Sequence, residues 1–413
     1  MNILLINHYA GSLEMGMEFR PYYFAREWTK KGHHVDMIAA DYSHLRIKNP
    51  KVRKDFQTED IDGITYHWIK AGEYEGNGVK RALTMFRFVG KLWLHAGKIV
   101  KEYRPDVVIT SSTYPLDTYA GQRIAKKGRA KLIHEVHDMW PATLIELGGM
   151  SRYHPFVLLI QLAENCAYRH SVHVVSLLPS AKEYMTEHGM KPERFVTIPN
   201  GIVKEDWENP EPLPESHRKV LEKLKADGKF IAGYFGGHAL SNALDVILDA
   251  AKVVKEEKIQ FVLVGNGVEK ERLVKRAEKE KISNVLFLPP VPKRAVPDLL
   301  RYFDCSVISL LRSPLYRFGI CLNKMYDSMM AAKPILFAVD APGSPVEDYR
   351  CGITIRTGQT NEIAEAMEEL YRMPETERWE MGERGRKAVL EHFTYDVLAE
   401  EFERLFRQKG SMQ

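Results

Sequence analysis

Short apolar runs alternate with charged, amphipathic stretches along most of the 413 residues, and this rhythm constrains the fold more than any single motif. The first half offers ILLINHY (3–9), HVDMIAA (34–40), DVVITSS (106–112), AKLIHEVHD (130–138), HVVSLL (173–178) and FVTIPNG (195–201) as strands. The second offers FIAGYFGG (230–237), IQFVLVGNG (259–267), NVLFLPPV (284–291), CSVISLL (305–311), PILFAVD (334–340) and GITIR (352–356). Helical stretches such as 17–31, 244–257 and 267–281 lie between them. A strand that is apolar along its whole length is buried on both faces, which calls for helices on either side of a parallel sheet. Two such sets, in a chain longer than one core usually serves, imply an α/β protein of two doubly wound, Rossmann-like domains.

The expected break follows IPNG. It gives a first domain of 1–203, a second of 204–390, and a C-terminal helical segment, 391–413, that packs back toward the first domain. Residues 204–216, KEDWENPEPLPES, combine acids with three prolines, a linker composition. In such folds ligands bind beyond the carboxyl ends of the strands, so two facing domains place a cleft where the chemistry belongs.

Charge and cysteine usage exclude several classes. A net charge of +4 is too small for a dedicated nucleic-acid binder, and no nucleic-acid partner is expected. Cys166, Cys305, Cys321 and Cys351 show no CxxC or metal-ligand spacing and read as ordinary thiols of a reducing compartment. The N-terminus lacks a basic, long apolar leader, and the longest apolar runs fall short of the roughly 20 residues that cross a bilayer. A cytoplasmic protein with at most peripheral membrane contact is expected. Residues 80–104 hold seven Lys/Arg and one acid, with Lys80, Arg87, Lys91 and Lys98 in a helical stripe and Phe86, Val89, Trp93 and Val100 on another face. This is either a domain helix with a solvated face or a basic surface for anionic lipid.

Three glycine-bearing loops follow strands of the second half: Gly236-Gly237, Gly265-Asn266-Gly267, and Gly319 before a helix beginning near Asn323. Glycine lets a ligand approach the backbone, and a helix N-terminus offers unpaired amides to an anion. Singly these are turn glycines; together they point to a phosphorylated ligand. None carries the P-loop lysine, and the first half lacks G-x-G-x-x-G, so nucleotide hydrolysis and dehydrogenation are disfavoured. In RSPLYRFGICLNKMYDSMMAAKP (312–334), Arg312 and Arg317 flank a turn, while Lys324 and Asp327 share a helical face. They are either a surface ion pair or a phosphate ligand and a ligand for sugar hydroxyls. In the first half, HEVHDMWP brings His137, Asp138 and Trp140 to a strand end. The loop after the first strand carries Gly11, Glu14, Gly16, Glu18 and Arg20, candidates for recognising a polar acceptor.

The ordered set RPYYFAREWTKKGHHV, HEVHDMWP, VVSLLPSAKEYM, IPNGI, YFGGHALSNALDVILDAA, FVLVGNG, NVLFLP and NKMYDSMMAAKP resembles glycosyltransferase family 4, retaining enzymes of the GT-B fold. More narrowly it resembles the L-fucosamine-transferase-like group of O-antigen and capsule pathways. The resemblance implies a nucleotide-sugar donor, with UDP as the carrier, in the second domain. It implies a saccharide or polyprenyl-diphosphate-linked acceptor at the first, and no metal or other cofactor. Gly236 and Gly237 match the diphosphate loop, Gly265, Asn266 and Gly267 the next donor loop, and Asp327 the acid that holds the ribose. His137 matches the histidine beside the transferring sugar. Many members have arginine and lysine where this chain has Gly237 and Asn242, and a first paired acid where it has Gly319.

A diphosphate leaving group needs a cation, for which Lys324 is the first choice and Arg317 the second. His238 and Asn242 offer neutral hydrogen bonds; Phe318, Gly319, Ile320 and Asn323 complete the donor set. Gly11, Glu14, Arg20, Asp138 and Trp140 form the acceptor set. The competing readings are a nucleotide-sugar 2-epimerase and a non-catalytic nucleotide-sugar-binding subunit of a polysaccharide complex.

Overall fold

In the computed structural model, residues 1–16, 19–76 and 78–408 are described. Glu18 and the start of the helix expected from residue 17 lie outside them, as does the tail beyond 408. Met1–Pro199 together with the helix from Tyr395 onward form one compact unit, and Asn200–Thr394 form another.

The first unit is built on an eight-stranded sheet: β1 (Asn2–Ile6), β2 (His34–Ala40), β3 (Gln57–Ile61), β4 (Ile64–Ile69), β5 (Val107–Thr110), β6 (Lys131–Val136), β7 (His173–Ser176) and β8 (Phe195–Thr197). Its order is β3-β4-β2-β1-β5-β6-β7-β8, parallel throughout except for β3–β4. The strand order reverses between β1 and β5, so residues just past these strands and β6 share one edge. Leu4, Ile6, Ile38 and Val108 meet Phe88, Leu92 and Ile124 of covering helices in one core cluster.

The β3–β4 hairpin is absent from the sequence reading. Its turn is Asp62-Gly63, with φ of 55° and 78° and Ile61 paired with Ile64. A two-residue turn needing two positive φ values is what Asp-Gly supplies, so the signal was present. It is masked by the polar, exposed β3 sequence QTEDI.

The helix Tyr395–Arg407 completes this unit. Trp28 of the helix Phe19–Lys30 stacks edge-on against Phe402 and Phe406, both at 5.2 Å, and donates its Nε1–H to the Ala399 carbonyl at 3.1 Å. The helix Val79–Tyr103 departs from expectation: its core face is Met85, Phe88, Leu92, Ala96 and Ile99, while Phe86 and Trp93 are exposed. The basic stripe is partly engaged too, since Lys91 pairs with Asp55 and donates to the Lys70 carbonyl.

The second unit holds β9 (Phe230–Phe235), β10 (Ile259–Val264), β11 (Val285–Leu288), β12 (Cys305–Ser309), β13 (Ile335–Ala338) and β14 (Gly352–Ile355), all parallel, in the order β11-β10-β9-β12-β13-β14. Alternate residues feed two core layers. Ala232, Tyr234, Phe261 and Leu263 pack with Leu244 and Ile247, whereas Ile231, Val262 and Val264 pack with Leu299 and Phe303. The order reverses between β9 and β12, which places the β9 and β12 loops together at the carboxyl edge.

Residues 204–216 are not a linker. Lys204–Glu208 is helical, Leu213 is buried, and its N–H donates to Asp298 at 2.8 Å. The prolines there end and start helices, the next running from Glu215 to Ala226 behind Pro214, rather than keeping the chain unpacked.

Candidate functional site

In the second unit, the loop after β9 and the loop after β10 are locked together. The His238 N–H donates to the Asn266 carbonyl at 2.8 Å, and the Glu269 N–H to the His238 carbonyl at 3.0 Å. The contact is too close for side chains: a Cβ at Gly265, where φ is +154°, would lie 1.9 Å from the Gly236 carbonyl oxygen. Gly236 and Gly237 are left exposed, and among the described residues the Gly237 N–H has no hydrogen-bond partner.

Lys324, in the first turn of the helix Asn323–Met330, reaches this loop. Its Nζ donates to Asn242 Oδ1 at 2.7 Å and to the Tyr234 hydroxyl at 3.2 Å, and stands 4.6 Å from the Tyr234 ring centroid. A Cβ at Gly236 would be 3.6 Å from the ammonium. Tyr234 OH and Asn242 Nδ2 both donate to the Gly237 carbonyl, at 2.7 and 2.9 Å, so one pair of neutral side chains fixes both loop and cation. Among the described residues no carboxylate pairs with Lys324. Burial pulls its pKa down to about 8. Lys324, the first-choice cation, thus belongs to the same unit as the loop.

Other expected donor residues divide. Asn266 and Gly267 are exposed beside the loop, and Asn323 is exposed at the helix start. Burial, with Lys293 opposing and Asp206 adding to it, pushes the half-buried Asp327 carboxyl up to about 6. Gly319 (φ +88°) turns the chain, but Phe318 and Ile320 are buried in packing and present no side chain to a ligand. His238 is also turned inward, fully buried, with neither ring nitrogen finding a partner among the described residues and its pKa lowered to about 4 by burial, then by Lys270 and Lys324. Its neutral hydrogen bond therefore does not face outward, and Asn242 spends its amide on Lys324 and Gly237. Exposed Arg317 lies over the Phe318 ring at 4.1 Å and donates to the Pro314 carbonyl.

In the first unit, the ends of β1, β5 and β6 carry a buried polar cluster. Glu135 Oε1 accepts from Arg20 Nε at 3.0 Å; its Oε2 takes the Ser111 hydroxyl and faces His137 Nε2 at 3.1 Å. His137 Nε2 is also 2.9 Å from Ser111 Oγ. Burial alone would raise the Glu135 pKa, but the Arg20 guanidinium and His137 outweigh it and hold the carboxyl well below the usual range. Asp117 accepts the Ser112 N–H at 3.0 Å, and burial pushes it up to about 7.

Arg20 corrects the acceptor set. It is 5% exposed, and besides Glu135 its guanidinium donates to the Ile198 and Pro199 carbonyls, so it braces the unit. Gly11 is buried and its carbonyl accepts from Tyr66 OH at 2.7 Å. Glu14 is exposed on a groove of about 640 Å³ lined by Ser12, Lys48, Lys51 and β3. Asp138 is exposed beside His137, and Trp140 packs with Tyr9 and Tyr114 under the Arg81 guanidinium. Sequence reasoning missed Tyr234, Ser111 and Glu135. Glu135 stands inside the HEVHD motif and Tyr234 opens the YFGGHAL motif already singled out, whereas nothing local marks Ser111.

Among the described residues no group of three or more His, Cys, Asp or Glu is placed to hold a metal ion, and no helix is long and apolar enough to cross a membrane.

The family model described as "Glycosyl transferase 4-like domain" matches residues 15–201, and that described as "Glycosyl transferases group 1" matches 217–388. The chain is similar to the probable glycosyltransferase WbjE of Pseudomonas aeruginosa, 24% identical over 60% of this chain and 61% of that protein. It is equally similar, at 24%, to the putative colanic acid biosynthesis glycosyl transferase WcaI of Escherichia coli, over 50% of this chain and 51% of that one. The chain thus matches little more than half the length of these relatives. Among solved structures, Anabaena HepE in complex with UDP and glucose superposes with a TM-score of 0.64 at 14% identity, covering 99% of this chain and 100% of that one.

Proposed function

From a chain that belongs to the group 1 glycosyltransferases of the GT-B fold, we infer a retaining transferase that moves a sugar from a nucleotide-sugar to a saccharide or polyprenyl-diphosphate-linked saccharide. The observation that carries this reading is Lys324, a half-buried ammonium held only by neutral groups beside an exposed glycine turn. Burial disfavours such a charge unless an anion arrives. A diphosphate on the Gly236-Gly237 turn meets that need, with the Gly237 amide as a second donor.

Sugar transfer leaves negative charge on the diphosphate while the anomeric carbon becomes cationic. One donor aimed at developing charge is worth about 3–4 kcal/mol, against up to about 2 kcal/mol for a partly buried helix terminus. Lys324 therefore does what the loop amides alone do not. Where many relatives carry lysine, this chain has Asn242, whose Oδ1 receives the ammonium of Lys324. Asp327 accepts from the ribose hydroxyls. His137, held by Glu135 and Ser111, serves the transferring sugar, and the donor phosphate accepts the acceptor's proton in a same-face attack.

UDP as the carrier is supported by the UDP in the HepE complex, and a role in surface polysaccharide synthesis by the colanic acid relative. A hexosyl or N-acetylhexosaminyl donor, as in the L-fucosamine-transferase-like group, belongs to the same proposal. A thermal-shift series with UDP, GDP and their sugars tests it. UDP at a hundredfold excess over its Kd is expected to stabilise the protein by about 2.7 kcal/mol, with GDP weaker. Sugar isomerised from donor alone would point to an epimerase, and binding with no turnover on any lipid-linked acceptor to a non-catalytic subunit.

A further inference from the structure

Two helices of the first unit expose several large apolar side chains. On the helix Val79–Tyr103, Val79, Leu83, Phe86, Trp93 and Leu94 recur on one side, and Leu94 is 71% exposed. On the helix Pro155–His170, Leu158 and Leu162, one turn apart, are exposed as well, Leu162 to 62%. The two helices touch through Phe86 and Phe156, with ring centroids 6.5 Å apart. The helix Asp117–Gly128 packs with both and lays Arg123 over Trp93 at 3.7 Å. Exposed apolar side chains gathered on two neighbouring helices in this way mark an interaction surface.

Its charge selects the partner. Of the three acids on these helices, Asp117 and Glu164 are buried and only Glu102 is exposed. Lys80, Lys101, Lys126, Lys127 and Arg169 are all exposed on the same three helices. Leucine and aromatic side chains beside unopposed lysines match an acyl–headgroup boundary carrying negative charge. We propose that this three-helix face docks the protein shallowly on an anionic lipid bilayer, Phe86, Leu94, Leu158 and Leu162 entering the boundary.

The apolar side begins near the sheet edge that holds the polar cluster, because Phe156 and Met85 pack into the same cluster as Trp140 and Tyr114. A lipid-linked acceptor would thereby meet Trp140 and His137 from the membrane side, a consequence that rests on the transferase reading. The docking itself does not.

The test is co-sedimentation of the full-length protein with phosphatidylcholine vesicles containing or lacking phosphatidylglycerol, with no donor or acceptor added. The parent is expected to pellet with the anionic vesicles and to be released by salt. Phe86→Ser with Leu94→Ser, and separately Leu158→Gln with Leu162→Gln, should each lower the partition coefficient by about tenfold or more without shifting the melting temperature. Three results would overturn the proposal. They are no vesicle binding by the parent, binding that the variants retain or that needs no anionic lipid, and a parent dimer that the variants dissolve, which would make a second copy the occupant.

Discussion

Arg20 and Lys324 are both cations lodged among loops at a sheet edge, one in each unit, and their surroundings are opposite. Arg20 has a buried carboxylate and two carbonyls, and its charge is consumed inside the fold. Lys324 has an amide oxygen and a phenol, and its charge is left over. Whether a buried cation braces a protein or serves a ligand depends on the presence of a fixed anion within reach, not on burial or position. The first unit uses charge to hold a histidine; the second holds charge with neutral groups for an incoming anion.

The largest expected effect breaks the second arrangement. Lys324→Ala should lower kcat/KM by about a hundredfold to a thousandfold and weaken UDP binding. Arg317→Ala, on an exposed side chain stacked on its neighbour, should change kcat/KM by less than about threefold on the same scale. Near-normal kinetics for Lys324→Ala, or a collapse with Arg317→Ala, would reassign the cation.

The next change strikes the first arrangement. Glu135→Gln leaves Arg20 buried without its counter-charge and should destabilise the first unit by about 3–5 kcal/mol in urea unfolding. An unchanged midpoint would mean that Arg20 does not need its partner and is free for substrate.

The smallest effect sharpens the contrast through pH. In the proposed role Lys324 binds phosphate as the protonated form, and burial lowers its pKa from 10.5 to about 8. Nucleotide affinity should therefore fall as pH rises through about 8, approaching tenfold per pH unit. Ligand-free stability should move the other way between about 8 and 10.5, because there the unfolded chain binds more protons than the folded one. Isothermal titration of UDP and denaturation of the free protein, measured in parallel, would show whether the two trends oppose each other.

Twelve of the strands were legible because apolar runs such as ILLI and FVLV leave little else for the backbone to do. The β3–β4 pair was missed: exposed β3 carries no apolar signature, whereas the buried ITYHWI of β4 and the Asp62-Gly63 turn before it were there to be read. The glycine loops, Lys324 and Asp327 could be found as residues after strands. What sequence could not supply was partnership: Glu135 lies 115 positions from Arg20, and Asn242 lies 82 from Lys324. For the same reason the side carrying Phe86 and Trp93 could not be told from the core side, because periodicity gives a helix two faces without saying which one the sheet takes.

The helix Tyr395–Arg407 has a further consequence for how the molecule comes into being. It seals Phe24, Trp28 and Tyr23, yet the whole of the second unit is translated in between. At about 5–20 residues per second, those 195 positions keep the ribosome busy for roughly 10–40 s. During that interval the nascent first unit shows an aromatic strip with no cover of its own. The helix Tyr395–Arg407 is then the closing staple of a unit whose other elements all precede Asn200, and that unit is finished only after the second has been made.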